Sequence, residues 1–530
     1  MNHNQIRILG VLSTRACLKF LSLSFISILL LTCSTNPVTG QRELGLVSAQ
    51  QEIALGQQHY GPTTQSQGGE YQVDAGLSEY VNQVGQRLAE VSDRDLPYEF
   101  VVINSSVPNA WALPGGKLAI NRGLLLELNN EAELAAVLGH EIVHAAARHG
   151  AQAMERGMLL QGAMVATAIA ASDTQYAGLI VGGAQLGAQL ISQRYGRDAE
   201  READAYGIRY MAEAGYNPQA AVSLQETFVR LSEGRNPGWL EGLFASHPPS
   251  MERVENNRAL LQEIRAEGFM DGDLGTERYQ SNLAFLRETK PAYDAFDEAL
   301  TLLDKDRIED AQAKLDTAIS ILPSEARFHG LKGDINLVQR NYGAAIEHFN
   351  RAIDYDPNYF AYYLGRGLTY VRQGNQARGE EDLQASVELL PTAAAMNELG
   401  ALALQRNDRA AALRYYEVAA SAPGAAGEQA RAAYARLDIT ENPARYVDIQ
   451  PFVSEGRVGA RISNKSPLEI SQVVIEFRAV VGGQQVSRAV TVPRLAAGQA
   501  ADIDSTIALP AGAVLAANQL AVSLRSLRTN

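Results

Sequence analysis

Cysteine is almost absent from this sequence of 530 residues, which contains only Cys17 and Cys33. Because Cys17 lies in an apolar N-terminal segment that is typical of an export signal, a processed chain would keep one thiol and form no internal disulfide. An excess of positive charge is also missing, since 46 Lys and Arg stand against 60 Asp and Glu. With a net charge of −14 and no basic block, we expect no nucleic-acid partner.

A continuous run of the ~20 apolar residues that cross a bilayer is missing as well. The apolar stretch of residues 20–32 is shorter and follows three basic residues, which is typical of a signal peptide. It ends in Leu30-Leu31-Thr32-Cys33, which resembles a bacterial lipoprotein processing site, although Thr32 stands where Gly, Ala or Ser is usual. We therefore predict a signal peptide over residues 1–33 and lipidation of Cys33.

Lipidation of Cys33 would anchor the chain to a membrane on its periplasmic side. Ser34 after the cysteine resembles lipoproteins of the outer membrane, so we expect an anchor there rather than in the inner membrane. A plain secretory signal with an incidental cysteine is the alternative. The single thiol of a processed chain favours the lipoprotein, because lipidation gives that residue a role.

The motif His140-Glu141-Ile142-Val143-His144 lies in a helix that is predicted to begin after the capping residue Asn130. Residues four apart share one face of a helix, so both histidines can bind a single metal ion. Glu141 can then reach a water on that ion, which is the arrangement of zinc peptidases. We expect Glu141 to act as a general base and then as a general acid.

A catalytic zinc needs three protein ligands and an open position. A third histidine six residues after the second would be Gly150, and we interpret His149 as a bystander on the far side of the helix. We predict Glu200, on a second helix, as the third ligand. Asp204 shares its face and suits a carboxylate that orients a ligand histidine, whereas Glu202 is interpreted as a solvated charge.

This combination resembles a known family, the zinc metallopeptidases that include HtpX and the CAAX prenyl proteases. The signature His-Glu-x-x-His followed by Glu-x-x-x-Asp is joined by similar segments at residues 109–116, 215–218 and 246–249. The resemblance covers residues 36 to about 262. Periplasmic BepA-like lipoproteins are similar in two further features, the start Asn36-Pro37-Val38-Thr39-Gly40 and a tail of repeats. It implies a mainly α zincin domain with a small sheet and one Zn²⁺ per chain.

The resemblance also singles out His247, which stands before two prolines. In the family this histidine lies at the active site, where it donates to the tetrahedral intermediate or caps the zinc in a resting state. Both roles remain open for His247, as does that of an ordinary loop residue. The strand Trp111, Ala112, Leu113 and Pro114 is a predicted edge to which an extended, unfolded substrate adds by main-chain hydrogen bonds.

Residues 157–191 are rich in Gly, Ala, Leu and Val, and Asp173 divides them into two apolar runs. Each run has about 14 residues, which is short for a membrane span. We interpret the segment as an apolar helical hairpin over the active site. A membrane-dipping element is the alternative.

The next region is marked by its period, since Pro323, Pro357 and Pro391 are each 34 residues apart. Small residues stand twelve positions before each proline, which is typical of tetratricopeptide repeats. We predict an α-helical solenoid of such repeats over residues 290–437 that docks substrate or outer-membrane assembly machinery. Residues 445–530 then predict a small β-sandwich with an accessory role, with strands at 471–481, 485–492, 501–508 and 519–527.

The sequence therefore predicts a multidomain protein with a metallopeptidase domain over residues 34–275, followed by the repeats and the sandwich. Its predicted function is a zinc-dependent endopeptidase of the bacterial cell envelope that degrades misfolded or stalled proteins of the outer membrane and periplasm. A chaperone or scaffold with a mostly latent protease is the alternative. A membrane-embedded protease of the CAAX type is disfavoured, because no apolar segment is long enough.

Overall fold

The computed structural model describes residues 33–161, 195–234, 237–269, 272–510 and 519–529. The predicted signal peptide before Cys33 and most of the predicted apolar hairpin, residues 162–191, lie outside the described residues. Among the helices of the described ranges, none is both long enough and apolar enough to cross a membrane. Apart from the gaps, the chain forms two compact units, one of residues 33–339 and 347–359 and one of residues 340–346 and 360–529.

The first unit begins with a two-stranded segment that we call the N-terminal hairpin. Its strands are β1 (Cys33–Thr35) and β2 (Arg42–Leu44), and their antiparallel register places Cys33 opposite Leu44. Asn36 closes the turn between them, because its backbone N–H donates to the Gln41 carbonyl at 2.8 Å. Cys33 therefore lies in a strand that is paired with β2, and the described chain continues from this hairpin directly into the domain.

The Gln-, Gly- and Thr-rich composition of residues 61–69 predicts a loop, but helix α1 (Ala49–Ser66) extends into this segment. The helix continues through Pro62 to Ser66, so that expectation is wrong for its first six residues. Thr63 and Thr64 are buried on the protein side of the helix. Their packing outweighs the low helix propensity of Pro, Gly and Thr in this segment.

A three-stranded sheet in the order β3-β5-β4 follows helix α2 (Ala75–Ala89). Strand β3 (Glu99–Ile103) runs parallel to β5 (Lys117–Asn121), whereas β4 (Ala110–Leu113) pairs with β5 in antiparallel fashion. The pair Gly115-Gly116 between two strand-like segments predicts a hairpin turn, and the antiparallel pairing of β4 with β5 confirms it. Gly115 adopts a φ of 80°, and a Cβ there would lie 2.6 Å from the Ile53 Cα, so the turn requires glycine.

Most of the helices that follow the sheet up to residue 282 contribute side chains to the same buried core as the sheet. The helices of this stretch are α3 (Arg122–Leu125), α4 (Glu131–Ala146), α5 (His149–Gln161), α6 (Arg197–Glu213), α7 (Gln219–Gly234), α8 (Pro237–Ser246), α9 (Met251–Ala266) and α10 (Thr276–Asn282). Helix α4 begins as predicted, because the Asn130 side chain accepts a hydrogen bond from the Glu133 N–H.

The repeat region consists of paired helices, as the 34-residue period predicts. The helices are α11 (Ala284–Leu303), α12 (Ile308–Ile321), α13 (Ala326–Val338), α14 (Tyr342–Tyr355), α15 (Phe360–Arg372), α16 (Gln376–Leu389), α17 (Ala393–Gln405), α18 (Arg409–Ala420) and α19 (Gly424–Asp438). The small residues fit where helices cross closely: in the second unit, a Cβ on Gly367 would lie 3.1 Å from the Gly379 carbonyl oxygen.

The C-terminal strands form two three-stranded antiparallel sheets that share one apolar core, which confirms the sandwich. The strands are β6 (Val447–Ser454), β7 (Arg457–Asn464), β8 (Ile470–Val481), β9 (Gln484–Leu495), β10 (Ala500–Ala508) and β11 (Leu520–Thr529). The sheet orders are β10-β7-β6 and β11-β8-β9. The hairpin of β6 and β7 was not predicted, because most of edge strand β6 is exposed and its alternation of apolar and polar residues breaks off at Pro451.

Candidate metal centre

Two helices meet at the predicted site because glycines replace side chains at their crossing. A Cβ on Gly207 of α6 would lie 3.0 Å from the backbone nitrogen of His140 on α4, and one on Gly139 would lie 3.1 Å from the Gly207 carbonyl oxygen. Glycine therefore lets the two backbones approach closely. This contact brings Glu200, in the first turn of α6, to the two histidines of α4.

Four side chains direct potential ligand atoms at one point. His140, His144, Glu200 and His247 each offer an atom, and these atoms lie within 4.8 Å of one another. The Nε2 atoms of His140 and His144 are 3.0 Å apart. Glu200 Oε1 lies 3.4 Å from His144 Nε2, and His247 Nδ1 lies 2.9 Å from the same carboxylate oxygen.

These separations fit a tetrahedral metal ion. Ligand atoms at about 2.0–2.1 Å from a zinc ion are roughly 3.3 Å apart along the edges of a tetrahedron. Besides the distances above, His140 Nε2 lies 3.3 Å from His247 Nδ1 and 3.6 Å from Glu200 Oε2. Two or three imidazoles and a carboxylate are also donors that suit such an ion. The group can hold a metal ion.

His140 is oriented by a buried ion pair behind it. Its Nδ1 lies 3.0 Å from Asp204 Oδ1, and Arg253 on α9 donates from Nε and Nη2 to the same carboxylate at 2.7 and 2.6 Å. Burial opposes ionisation of Asp204, but Arg253 and His140 hold the pKa of its carboxyl below the usual range. Asp204 thus lies beside the ring of His140, the ligand that a carboxylate at this position is predicted to orient, whereas Arg253 was not predicted.

Arg253 also reaches the candidate ligand Glu200, since its Nη1 lies 3.1 Å from Oε2. One guanidinium thus contacts both the carboxylate in the donor set and the carboxylate behind His140. Burial disfavours the charged His140 imidazolium, yet the carboxylates of Asp204 and Glu200 raise the pKa of His140 to about 10. A metal ion that binds His140 Nε2 would therefore displace a proton.

The surroundings of His144 differ from those that the sequence predicts. The ring of Tyr195 stacks on His144 with centroids 4.0 Å apart, and His149 Nδ1 lies 2.8 Å from His144 Nδ1. His149 is therefore not a bystander on the far side of the helix, because the chain turns after Ala147 and α5 directs it back. Glu202 is not a solvated charge either, since its carboxylate accepts from the Asn36 side chain at 2.7 Å.

Glu141 and His247 face each other beside the donor set. The Nε2 atom of His247 lies 3.5 Å from Glu141 Oε1, while its Nδ1 is directed at the donor atoms. Within the described residues, Glu141 Oε2 is buried without a hydrogen-bond partner. A buried carboxylate oxygen of this kind is suited to accept a proton from a water that enters the site.

The predicted substrate strand lies at the edge of the catalytic sheet, since β4 pairs with β5 alone in the order β3-β5-β4. The side chains of residues 110–113 are all buried, as is Pro114. Trp111 contacts the Tyr60 ring edge-on at a centroid distance of 6.1 Å. The strand is therefore held rigidly by its side chains, which leaves main-chain groups as the means of binding an added strand.

The residues that sequence reasoning missed are Arg253, His149, Tyr195 and the two crossing glycines. Arg253 and His149 belong to no sequence motif that would indicate their contacts. Their partners, Asp204 and His144, lie 49 and 5 positions away in the sequence. Only the two glycines could have been recognised from their positions in the sequence. Gly139 directly precedes the metal-binding motif, and Gly207 follows Asp204 by three residues on the same helix.

Comparison with known proteins finds similar peptidases and similar repeats. The model of peptidase family M48 matches residues 76–261, and a tetratricopeptide repeat model matches residues 296–360. The metalloprotease YcaL of Escherichia coli K12 is 32% identical over 186 residues, which cover 33% of this chain and 70% of YcaL. The mitochondrial metalloendopeptidase OMA1 of Schizosaccharomyces pombe is 33% identical over 193 residues, covering 36% and 54% of the two chains.

A longer match is found with a third relative. The beta-barrel assembly-enhancing protease of Escherichia coli K12 is 25% identical over 311 residues, which cover 53% of this chain. The matched region spans 62% of that relative's length, which is less than two thirds.

Proposed function

Because the chain belongs to peptidase family M48, we propose that it is a zinc-dependent endopeptidase that degrades misfolded or stalled proteins of the bacterial outer membrane and periplasm. The observation that carries the proposal is the convergence of His140, His144 and Glu200 beside Glu141. Buried ionisable groups of this density cost folding free energy, which is typical of a catalytic site.

In this proposal His140, His144 and Glu200 hold one Zn²⁺ per chain. When bound, the ion supplies a water of lowered pKa and polarises the carbonyl of the peptide bond that is cleaved. The chain's own residues do the proton transfers. Glu141 takes a proton from the attacking water and delivers it to the leaving amine. Its Oε2 atom suits that role, because it is buried and accepts no hydrogen bond from any of the described residues.

We assign His247 to a resting state in which it occupies the fourth position. Its Nδ1 lies 2.9 Å from Glu200 Oε1 and 3.3 Å from His140 Nε2, which are separations expected between ligands of one ion. A donor to the reaction intermediate would instead keep its nitrogen outside the ligand set. The site must therefore open before substrate enters, and this supports a protease that is latent until it meets its substrate.

Extended chains are the substrates that this site suits. Strand β4, which includes Trp111, Ala112 and Leu113, lies at the edge of its sheet, and an extended peptide can pair with it through main-chain hydrogen bonds. A folded protein cannot present such a strand, whereas a stalled or misfolded one can. The relatives named for beta-barrel assembly support outer-membrane proteins as the substrate class, with the repeats as the docking region for substrate or assembly machinery.

A lipid on Cys33 would hold the catalytic domain directly at the membrane surface. Strand β1 begins at Cys33, and Arg148 donates to the hydroxyl of Ser34 at 2.7 Å, so no flexible segment separates the anchor from the domain. Labelled palmitate should enter the wild type and not Cys33→Ser, and only the wild type should sediment with outer membranes. A wild type without lipid would point to a simple secreted enzyme.

The substrate proposal is tested with one β-barrel membrane protein in two states. The zinc-loaded chain should cleave that protein when it is kept unfolded and should leave it intact when it is folded in detergent micelles. Glu141→Gln is the matched control for contaminating proteases. Equal cleavage of both states, or no cleavage of the unfolded state, would contradict the proposal.

A further inference from the structure

The contacts of His144 continue to the N-terminal hairpin. We propose that His149, Glu202 and Asn36 form a hydrogen-bonded relay that positions His144 as a metal ligand. The inference rests on the proposed function, because His144 acts as a ligand only if the site holds a metal ion. It makes the N-terminal hairpin part of a site whose ligands lie more than 100 residues further along the chain.

The first step of the relay fixes which nitrogen of His144 carries its proton. To bind a metal through Nε2, a neutral His144 must keep its proton on Nδ1. That Nδ1 lies 2.8 Å from His149 Nδ1. The Nδ1–H of His144 therefore donates to the lone pair of His149 Nδ1, and the proton of a neutral His149 then stays on its Nε2.

The second step explains why His149 keeps that tautomer. Its Nε2 lies 3.4 Å from Glu202 Oε1, so a proton there faces a carboxylate. The side chains of His144 and His149 are buried, and that of Glu202 is 20% exposed. An outer partner that fixes the tautomer and ring orientation of a ligand histidine commonly governs how tightly the metal is held.

Asn36 fixes Glu202 in turn. Its Nδ2 donates to Glu202 Oε1 at 2.7 Å and to Glu43 Oε1 at 3.0 Å. The amide cannot turn away easily, because its Oδ1 accepts from the backbone N–H of Val38 at 2.9 Å and from that of Thr39 at 3.3 Å. With 1% exposure, Asn36 is a buried residue whose polar atoms are all used.

The N-terminal hairpin is docked at the same turn that carries His149. Arg148 donates from Nη1 to Ser34 Oγ at 2.7 Å and from Nη2 to the Val47 carbonyl at 2.6 Å. Gln152 donates to Glu43 Oε2 at 2.6 Å. Contacts on both sides of His149 therefore hold the hairpin, and Asn36 lies where it can complete the relay.

The test measures zinc affinity of the full chain by competition with a chromophoric chelator, together with the visible absorption spectrum of the Co²⁺-loaded protein. His149→Leu should weaken zinc binding by about 10–100-fold and change the Co²⁺ spectrum. His149→Gln should restore most of the affinity, because its amide can both accept from His144 and donate to Glu202. Asn36→Ala should weaken binding by a smaller factor, since it acts through Glu202.

Arg42→Ala is the matched control, because Arg42 is an exposed residue of the same hairpin. Its zinc affinity and Co²⁺ spectrum should equal those of the wild type. Melting of the metal-free proteins shows whether a variant has lost its fold, and His149→Gln should melt as the wild type does.

Two results would overturn the relay. One is an unchanged zinc affinity and Co²⁺ spectrum in His149→Leu, and the other is a His149→Gln variant that is folded but as weak as His149→Leu. A wild type that binds no metal would overturn the proposed function and the relay together. Tight binding by the wild type with no effect of the His149 variants would overturn the relay alone.

Discussion

The metal centre and the C-terminal sandwich bury their residues for different purposes. At the metal centre Arg253 and Asp204 form an ion pair whose side chains are 9% and 8% exposed. In the sandwich the corresponding pairs lie at the surface, as in Arg457 with Asp504, where the exposures are 61% and 48%. The sandwich core is apolar, and residues 445–530 contain no histidine or cysteine.

This difference separates burial that stabilises the fold from burial that requires another explanation. Burying apolar side chains stabilises the sandwich, and its surface ion pairs each contribute about 0–1 kcal/mol. Burying charges is costly unless they are paired, and apolar residues of similar size would often serve stability as well. The ion pairs behind His140 are therefore explained by what they orient, whereas the sandwich requires no such explanation.

Among the variants that distinguish the metal centre from the sandwich, Glu200→Ala should have the largest effect on zinc affinity. Loss of a ligand should weaken zinc binding by more than the ~10–100-fold that follows loss of an outer hydrogen-bond partner. Equilibrium dialysis against zinc measures the change. Glu213→Ala, at an exposed position of the same helix, is the control and should bind zinc normally. Stoichiometric, tight zinc in Glu200→Ala would remove Glu200 from the ligand set.

A smaller effect is expected from His247→Ala. If the capped state accounts for ~90% of molecules, removing the cap should raise basal casein cleavage by up to ~tenfold. The initial rate of cleavage at saturating zinc measures this, and self-cleavage of the chain should increase with it. A fall in turnover at unchanged zinc content would show instead that His247 stabilises the reaction intermediate.

A substitution in the sandwich core should have the smallest effect on the metal centre. Phe477 is fully buried in the sandwich core, so Phe477→Ala should lower the free energy of unfolding of that region by about 3–5 kcal/mol. Zinc affinity and the kcat/KM for casein should not change. Scanning calorimetry and steady-state kinetics of the same preparation provide the two readings. Coupled loss of activity and stability would show that the sandwich supports the site.

Sequence predicted best what is local or periodic. Helix α4 with its cap, the hairpin turn at Gly115 and the repeats follow from patterns within about one period of the chain. The helices α12, α14, α16 and α18 begin at residues 308, 342, 376 and 409, which keeps the predicted period within one residue. Each of these features is determined by neighbours in the sequence.

Predictions from the sequence were wrong or missing where tertiary contacts determine the structure. Helix α1 continues past Pro62 because its threonines are buried, which no propensity indicates. His149 follows His144 by five residues, and its direction depends on Arg148, whose φ of 65° turns the chain between α4 and α5. Arg253 is an ordinary surface residue by pattern and becomes a partner of Asp204 only through packing of α9 against α6.

The most direct measurement compares the wild type with Glu141→Gln for both metal content and casein cleavage. Glu141 is placed to contact the attacking water and not the ion, so both proteins should contain one zinc per chain. The variant should cleave casein at least ~10²-fold more slowly, because it lacks the general base. Normal cleavage by Glu141→Gln, or a wild type that cleaves casein without bound metal, would contradict the account of this site.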